Sequence, residues 1–300
     1  MEGADHRDRS RTAGSGVPSR ETADQAAAAA AGGCNQMRRD AWFKDVLTGH
    51  RLELYGQKIV ACADGLSPCG AECLLRVRSQ RGLVRPPMSL LRVGQRLQCM
   101  ALVDEWVLRE VRRITATHGA ALRAGGRRIS VNLSGQSLSD PDFLQSFEHW
   151  VFAAPDLQGL ITFEITETAA IRDLGRVRGC MRRLQRIGCR FALDDFGVGV
   201  NSLSYLKALP VDALKLDGMF VRDLACSARS RATVSAVTQL AEAFGIVCVA
   251  EYVESQAILN LVRELGVDYA QGYAIHRPEP LSAVLEALRL DAQHLPAAAH

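Results

Sequence analysis

From Met37 onward, short apolar runs alternate with longer stretches of helical period. Runs at 52–60, 71–77, 129–133, 161–165, 190–193, 213–216, 247–250 and 269–273 have the length and apolar density of strands. Between and around them, 90–117, 142–153, 174–187, 231–244, 256–265 and 281–290 place apolar residues at helical spacing. A further short helix is predicted over 38–50, with Trp42, Phe43, Val46 and Leu47 on one face. Strand and helix alternating over most of the chain predict an α/β fold with a parallel sheet, and eight strand candidates favour closure into a TIM (β/α)₈ barrel. No internal repeat is evident. Residues 1–36 have no period; six alanines from Ala26 to Ala31 are too short for a stable isolated helix. They are expected to form a disordered tail or linker before one folded unit over 37–290, with 291–300 a C-terminal tail.

Composition narrows the function classes. The chain has 300 residues, of which 48% are hydrophobic, enough for a substantial core. Its formal charge is +3, from 36 basic and 33 acidic residues, which argues against a polybasic DNA- or RNA-binding protein. No apolar run reaches the roughly 18 residues of a transmembrane segment. The polar, acid-containing N-terminus is not a signal peptide, so a cytoplasmic location is expected. Nine cysteines, an odd number with no CxxC pair, are expected to be buried thiols in a reducing compartment. Only four basic residues are lysine: Lys44, Lys58, Lys207 and Lys215. In so arginine-rich a chain, Lys215, flanked by Leu214 and Leu216 in a predicted strand, asks for a chemical reason.

The ends of the predicted strands supply one. The third strand runs into Asn132, the fourth carries Glu164 and Glu167, and the fifth ends in Asp194-Asp195. Lys215 lies in the sixth, Glu251 and Glu254 follow the seventh, and Gln271 lies in the eighth. In a (β/α)₈ barrel the C-terminal strand ends converge on one mouth, where active sites sit. Converging carboxylates repel one another, and a hard divalent cation is the usual compensation. Oxygen ligands suit Mg²⁺ or Mn²⁺, whereas zinc or iron would call for the Cys and His that these ends lack. An adjacent Asp-Asp pair can bridge two ions, as in phosphodiester chemistry. One acid after a strand is ordinarily an N-cap or a solvated charge; six strands ending alike are not explained that way. Lys215 is suited either to an ion pair with the aspartates or to polarising a water.

These residues also carry a family resemblance. From about Leu52 to Leu281 the chain resembles the EAL-type cyclic di-GMP phosphodiesterases. The family's Glu-Ala-Leu is Glu72-Cys73-Leu74, and the later motifs follow in order: Val131-Asn132-Leu133-Ser134, Phe163-Glu164-Ile165-Thr166-Glu167, Leu193-Asp194-Asp195-Phe196-Gly197, Leu214-Lys215-Leu216-Asp217, Ala250-Glu251-Tyr252-Val253-Glu254 and Gln271-Gly272-Tyr273. The resemblance implies a modified TIM barrel with an antiparallel first strand, and hydrolysis of cyclic di-GMP to linear pGpG using two Mg²⁺ or Mn²⁺ ions. It implies that Ca²⁺ inhibits, that the protein forms a homodimer, and that an upstream sensor domain, not recognisable in this chain, can accompany it. Glu72, Asn132, Glu164 and Asp194 match ligands of one metal, and Asp195 matches the residue associated with the second. Glu251 matches the acid in the second metal's environment, Lys215 the lysine on the attacking water, and Glu167 the acid anchoring the following loop. Gln57, Arg76, Glu254 and Gln271 match substrate-binding or supporting positions.

Several positions depart from the family pattern. Cys73 replaces Ala, Lys58 replaces Pro, and Tyr252 replaces Gly, while Val198 and Val200 replace a Thr and a Tyr in the loop after Phe196. The Tyr252 ring either crowds the second metal or points outward. Those changes motivate an alternative reading: a weak or inactive domain acting as a cyclic di-GMP receptor or a protein-interaction module. A TIM-barrel enzyme acting on another phosphoester is a third.

Overall fold

In a computed structural model the described residues are 41–63, 65–166, 171–199 and 202–293. The expected tail over 1–36 lies outside them, as do 294–300 and two predicted residues of interest, Glu167 and Val200. Ten strands occur among the described residues: β1 (Leu52–Ala61), β2 (Pro68–Arg78), β3 (Val84–Arg85), β4 (Arg128–Leu133), β5 (Ile161–Thr166), β6 (Arg190–Phe196), β7 (Ala213–Leu216), β8 (Val247–Ala250), β9 (Tyr269–Ala270) and β10 (Glu279–Pro280). Eight close a barrel in the order β1-β9-β8-β7-β6-β5-β4-β2, with β2 pairing back to β1. They correspond to the eight predicted strands. The two-residue strands β3 and β10 hang on β2 and β1 at the edges and have no sequence signal of their own.

Connection length explains the strand directions. Only a short turn joins β1 to β2, so they form an antiparallel hairpin with Gln57 opposite Glu72. The connections between consecutive strands from β4 to β9 contain helices, and those strands run parallel. β1 is therefore antiparallel to both its barrel neighbours, β2 and β9.

The strands' outward residues, among them Ile129, Val131, Phe163, Phe191 and Leu214, pack against the surrounding helices in one continuous core. A second, smaller core joins Phe43 and Val46 of the helix over 41–48 to Leu52, Leu90, Met100 and Val103.

The helix predicted over 90–117 is two helices, Met88–Arg96 and Met100–Thr115. The chain breaks at Gln98, whose φ of 54° is left-handed, with neither Gly nor Pro to announce it. The cysteine expectation also needs correction. Cys62, Cys73, Cys180, Cys189 and Cys248 are buried, but Cys69 and Cys99 are half-buried and Cys226 is exposed on the surface.

Candidate active site

The C-terminal ends of the strands build the mouth. Register brings Glu72, Asn132, Glu164 and Asp194 to the same end: Glu72 stands opposite Ser130, two residues before Asn132 on β4, Asn132 opposite Glu164, and Glu164 opposite Ala192, two residues before Asp194. At the centre is Lys215, whose side chain is 1% exposed. Its Nζ lies 2.6 Å from Glu251 Oε1, 2.7 Å from Glu164 Oε2, 3.3 Å from Asp194 Oδ1 and 3.5 Å from Glu72 Oε2. Four buried carboxylates thus surround one ammonium, and side-chain amides hydrogen-bond to one of them, Glu72. Asn132 Nδ2 donates to Glu72 Oε1 at 2.9 Å. Gln271 Nε2 donates to Glu72 Oε2 at 2.7 Å and to Gln57 Oε1 at 3.0 Å, and Gln57 Nε2 donates to the His276 carbonyl at 2.8 Å.

Charge and burial oppose each other here. Burial alone would lower the Lys215 pKa, but Asp194, Glu164, Glu251 and Glu72 outweigh it and hold the ammonium well above its usual range. Burial pushes Glu164 up to about 8 despite the attraction of Lys215, and raises Asp194 and Glu251 as well. One lysine does not neutralise this many acids.

Asp194 and Asp195 are consecutive, and in a regular strand their side chains would point to opposite faces. The β6–β7 register shifts between Leu193 and Phe196, and Asp195 has a φ of 54°. This irregularity sets both acids at the mouth, where oxygens of Asp194, Asp195 and Glu251 lie within 4.8 Å of one another. Burial, then the neighbouring Asp194 and Asp217, raise Asp195 to about 6.

Above this floor opens a cavity of about 440 Å³. Of the predicted residues, Gln57, Glu72, Arg76, Asp194, Asp195, Glu251, Glu254 and Gln271 line it. Asn132, Glu164 and Lys215 do not line it; Glu164 and Lys215 are fully buried. Glu167 lies outside the described residues. A larger cleft of about 750 Å³ lies beside Cys62 and Arg263, away from the acids, and holds none of these groups.

Sequence reasoning missed Arg222. It lines the cavity, with its guanidinium carbon 4.1 Å from the centre of the Tyr252 ring and Nε 3.9 Å from Glu254 Oε1. Its only signal was position, five residues past Asp217 on the helical turn after β7. The Tyr252 ring does not enter the carboxylate cluster. It lies over Gly218, where an added Cβ would come within 2.4 Å of the ring, and stays 44% exposed at the rim. Gly272 is required for a different reason: a Cβ there would meet the Val253 backbone at 2.2 Å, and this close contact seats Gln271 beside Glu72.

The family described as "EAL domain" matches residues 40–278. The cyclic di-GMP phosphodiesterase PdeB of Shewanella oneidensis is 36% identical over 239 residues, covering 79% of this chain and 28% of that protein. The cyclic di-GMP phosphodiesterase PdeF of Escherichia coli is 32% identical over 210 residues, covering 70% and 28% respectively. This chain therefore spans well under a third of the length of these relatives. Among solved structures, the PaMucR phosphodiesterase in complex with c-di-GMP superposes with a TM-score of 0.73 at 28% identity, covering 82% of this chain and 99% of that one. The FimX EAL domain from Pseudomonas aeruginosa, bound to c-di-GMP, gives a TM-score of 0.70 at 24% identity over 81% of this chain and 97% of that one, a likeness of fold.

Proposed function

The chain belongs to the EAL domain family, and on that premise we propose that it hydrolyses cyclic di-GMP to linear pGpG with two divalent ions, Mg²⁺ or Mn²⁺. The observation that carries this reading is the set of four buried carboxylates on the single ammonium of Lys215. The donor set fits hard cations: all oxygens, with four buried carboxylates sharing one ammonium and so short of positive charge. Glu72, Asn132, Glu164 and Asp194 would hold one ion; Asp194, Asp195 and Glu251 would hold the other. When bound, such ions supply Lewis acidity and a water of lowered pKa.

The chain's own groups then have separate tasks. Lys215 Nζ holds Glu164, Asp194 and Glu251 together and presents a donor to a water at the mouth. The Gln57–Gln271–Glu72 hydrogen-bond chain fixes the Glu72 carboxylate. Arg76 lines the cavity from β2 and is placed to take a phosphate oxygen on two of its nitrogens. Glu254, paired with Arg222, borders the space left for the rest of the nucleotide. Water adds across one P–O bond, leaving a phosphate monoester and a free hydroxyl. Homodimerisation, a cytoplasmic location and inhibition by Ca²⁺ belong to the same reading. The receptor alternative drew on Tyr252 and on the loop with Val198 and Val200; of these, the Tyr252 ring rests on Gly218 and Arg222, clear of the acids, which supports hydrolysis.

The test is chromatographic detection of pGpG from purified chain with Mg²⁺, Mn²⁺ and Ca²⁺ in parallel. Product is expected with the first two, and Glu72→Ala should lower the rate by on the order of 10² to 10³. Cyclic di-GMP bound but uncut with every ion would overturn the reading in favour of a receptor.

A further inference from the structure

The other end of the barrel is built for charge of the opposite sign. Below the Lys215 layer five positions lining the barrel interior are small, Gly70, Ser130, Thr162, Ala192 and Ala213, while Ile59, Val247, Val249 and Tyr269 supply the bulk. Barrel interiors of this type are ordinarily filled with bulky branched side chains. Here the small layer leaves a cavity of about 120 Å³ under Lys215 and Glu164, open toward the N-terminal strand ends. At that end stand Arg128 of β4 and Arg190 of β6, on strands that flank β5 on its two sides.

Both arginines line this cavity, and Arg190 disfavours the charge on Arg128, an effect second only to burial. Neither forms an ion pair among the described residues. Arg128 donates only to the carbonyls of Ile161 and Gly188, at 3.3–3.4 Å. Asp212 lines the same cavity and favours the charge on Arg128, but forms no ion pair with it: its Oδ2 accepts from Phe191 N at 2.8 Å and Gln185 Nε2 at 3.0 Å. Arg127, one residue earlier, is buried beside Cys69 with its Nε unpartnered. Into the same cavity face the buried Ser130 and Thr162, whose hydroxyls make no hydrogen bond among the described residues. Two arginines that line one partly dry pocket and form no ion pair leave a place for an anionic partner.

We infer that the barrel floor is a binding site for a small free oxyanion, of the phosphate or sulfate class, held between Arg128 and Arg190 and by the hydroxyls of Ser130 and Thr162. Size selects the ligand. At about 30 Å³ per water, the cavity has room for a few waters or one tetrahedral ion, and none for a nucleoside. The site is separate from the mouth and stands or falls independently of hydrolysis there.

Thermal melts of the full chain in EDTA, which strips divalent ions from the mouth, test this. Inorganic phosphate and sulfate should raise the melting temperature by about 2–4 °C over chloride at equal ionic strength, and GMP should not. Arg190→Gln and Thr162→Val should each lose most of the rise, while Arg190→Lys keeps part of it. Arg190 is exposed and valine is nearly isosteric with threonine, so both variants should fold; if one does not, the other decides. No rise over chloride, an equal rise in both variants, or an equal rise with GMP would overturn the inference.

Discussion

The two ends of this barrel solve opposite electrostatic problems. At the mouth, four carboxylates converge on one lysine that is almost completely buried. At the floor, two arginines line one cavity with no ion pair to either among the described residues, and one of them, Arg190, reaches solvent. Between the two ends lies a cavity lined by small residues such as Gly70, Ala192 and Ala213 and by apolar ones such as Val247 and Val249. A charge that reaches water is easily tolerated, whereas a buried one must be compensated within the fold. The mouth therefore depends on Lys215 and on what it binds, and the floor depends far less on any one residue.

The largest expected effect tests that asymmetry. Lys215→Met removes the only ammonium among the acids and should cost about 3–5 kcal/mol in a urea melt without metal. Arg190→Gln should cost under about 0.5 kcal/mol. The Lys215→Met loss should deepen as pH rises, since the acids left behind must then give up protons inside the fold. Equal costs at the two ends would remove the contrast.

The next effect comes from the metal. Asp195 is raised to about 6 and Glu164 to about 8, each chiefly by burial. Both lie above the values near 4 of an unfolded chain. Their contribution to the apo fold is therefore complete at low pH and is lost as pH climbs through 6 and then 8. Metal ions bind the deprotonated acids, so the gain on adding Mg²⁺ or Mn²⁺ should grow over the same window. At a hundredfold excess over Kd it should reach about 2.7 kcal/mol. Melting temperatures with and without metal, taken from below pH 6 to above pH 8, should diverge. A gap independent of pH would mean that these carboxylates are not the ligands.

This contrast also explains what was legible in the sequence. The eight barrel strands stood out because their outward residues are buried under helices and read as apolar runs. The acids stood out because they interrupt those runs at the same end. Gln98 did not, since nothing local marks a left-handed break whose cause is the packing of two helices. Short helices such as Gly135–Leu138 and Gly218–Val221 are below the length at which periodicity can speak. Arg222 reaches the site through Tyr252 and Glu254, from a different part of the chain. Arg128 just precedes one predicted strand and Arg190 begins another, with nothing in the sequence to relate them; only barrel closure brings them to one end.

The smallest effect concerns the rim. Tyr252 holds a φ of 53°, a conformation that costs a side-chain-bearing residue about 1–2 kcal/mol. Tyr252→Ala keeps that strain and loses the ring, whereas Tyr252→Gly loses both. The glycine variant should therefore be the more stable of the two by about 1 kcal/mol, the reverse of their order in a helix. Gly218 completes the argument, because its missing Cβ is the space the ring occupies. Gly218→Ala should be destabilising in the parent chain and much less so beside Tyr252→Gly, with a coupling of about 0.5–3 kcal/mol. A double-mutant cycle by chemical denaturation measures it. A coupling near zero would mean that the ring is free to leave Gly218, and the mouth would lose the fixed wall that keeps Tyr252 away from Asp195 and Glu251.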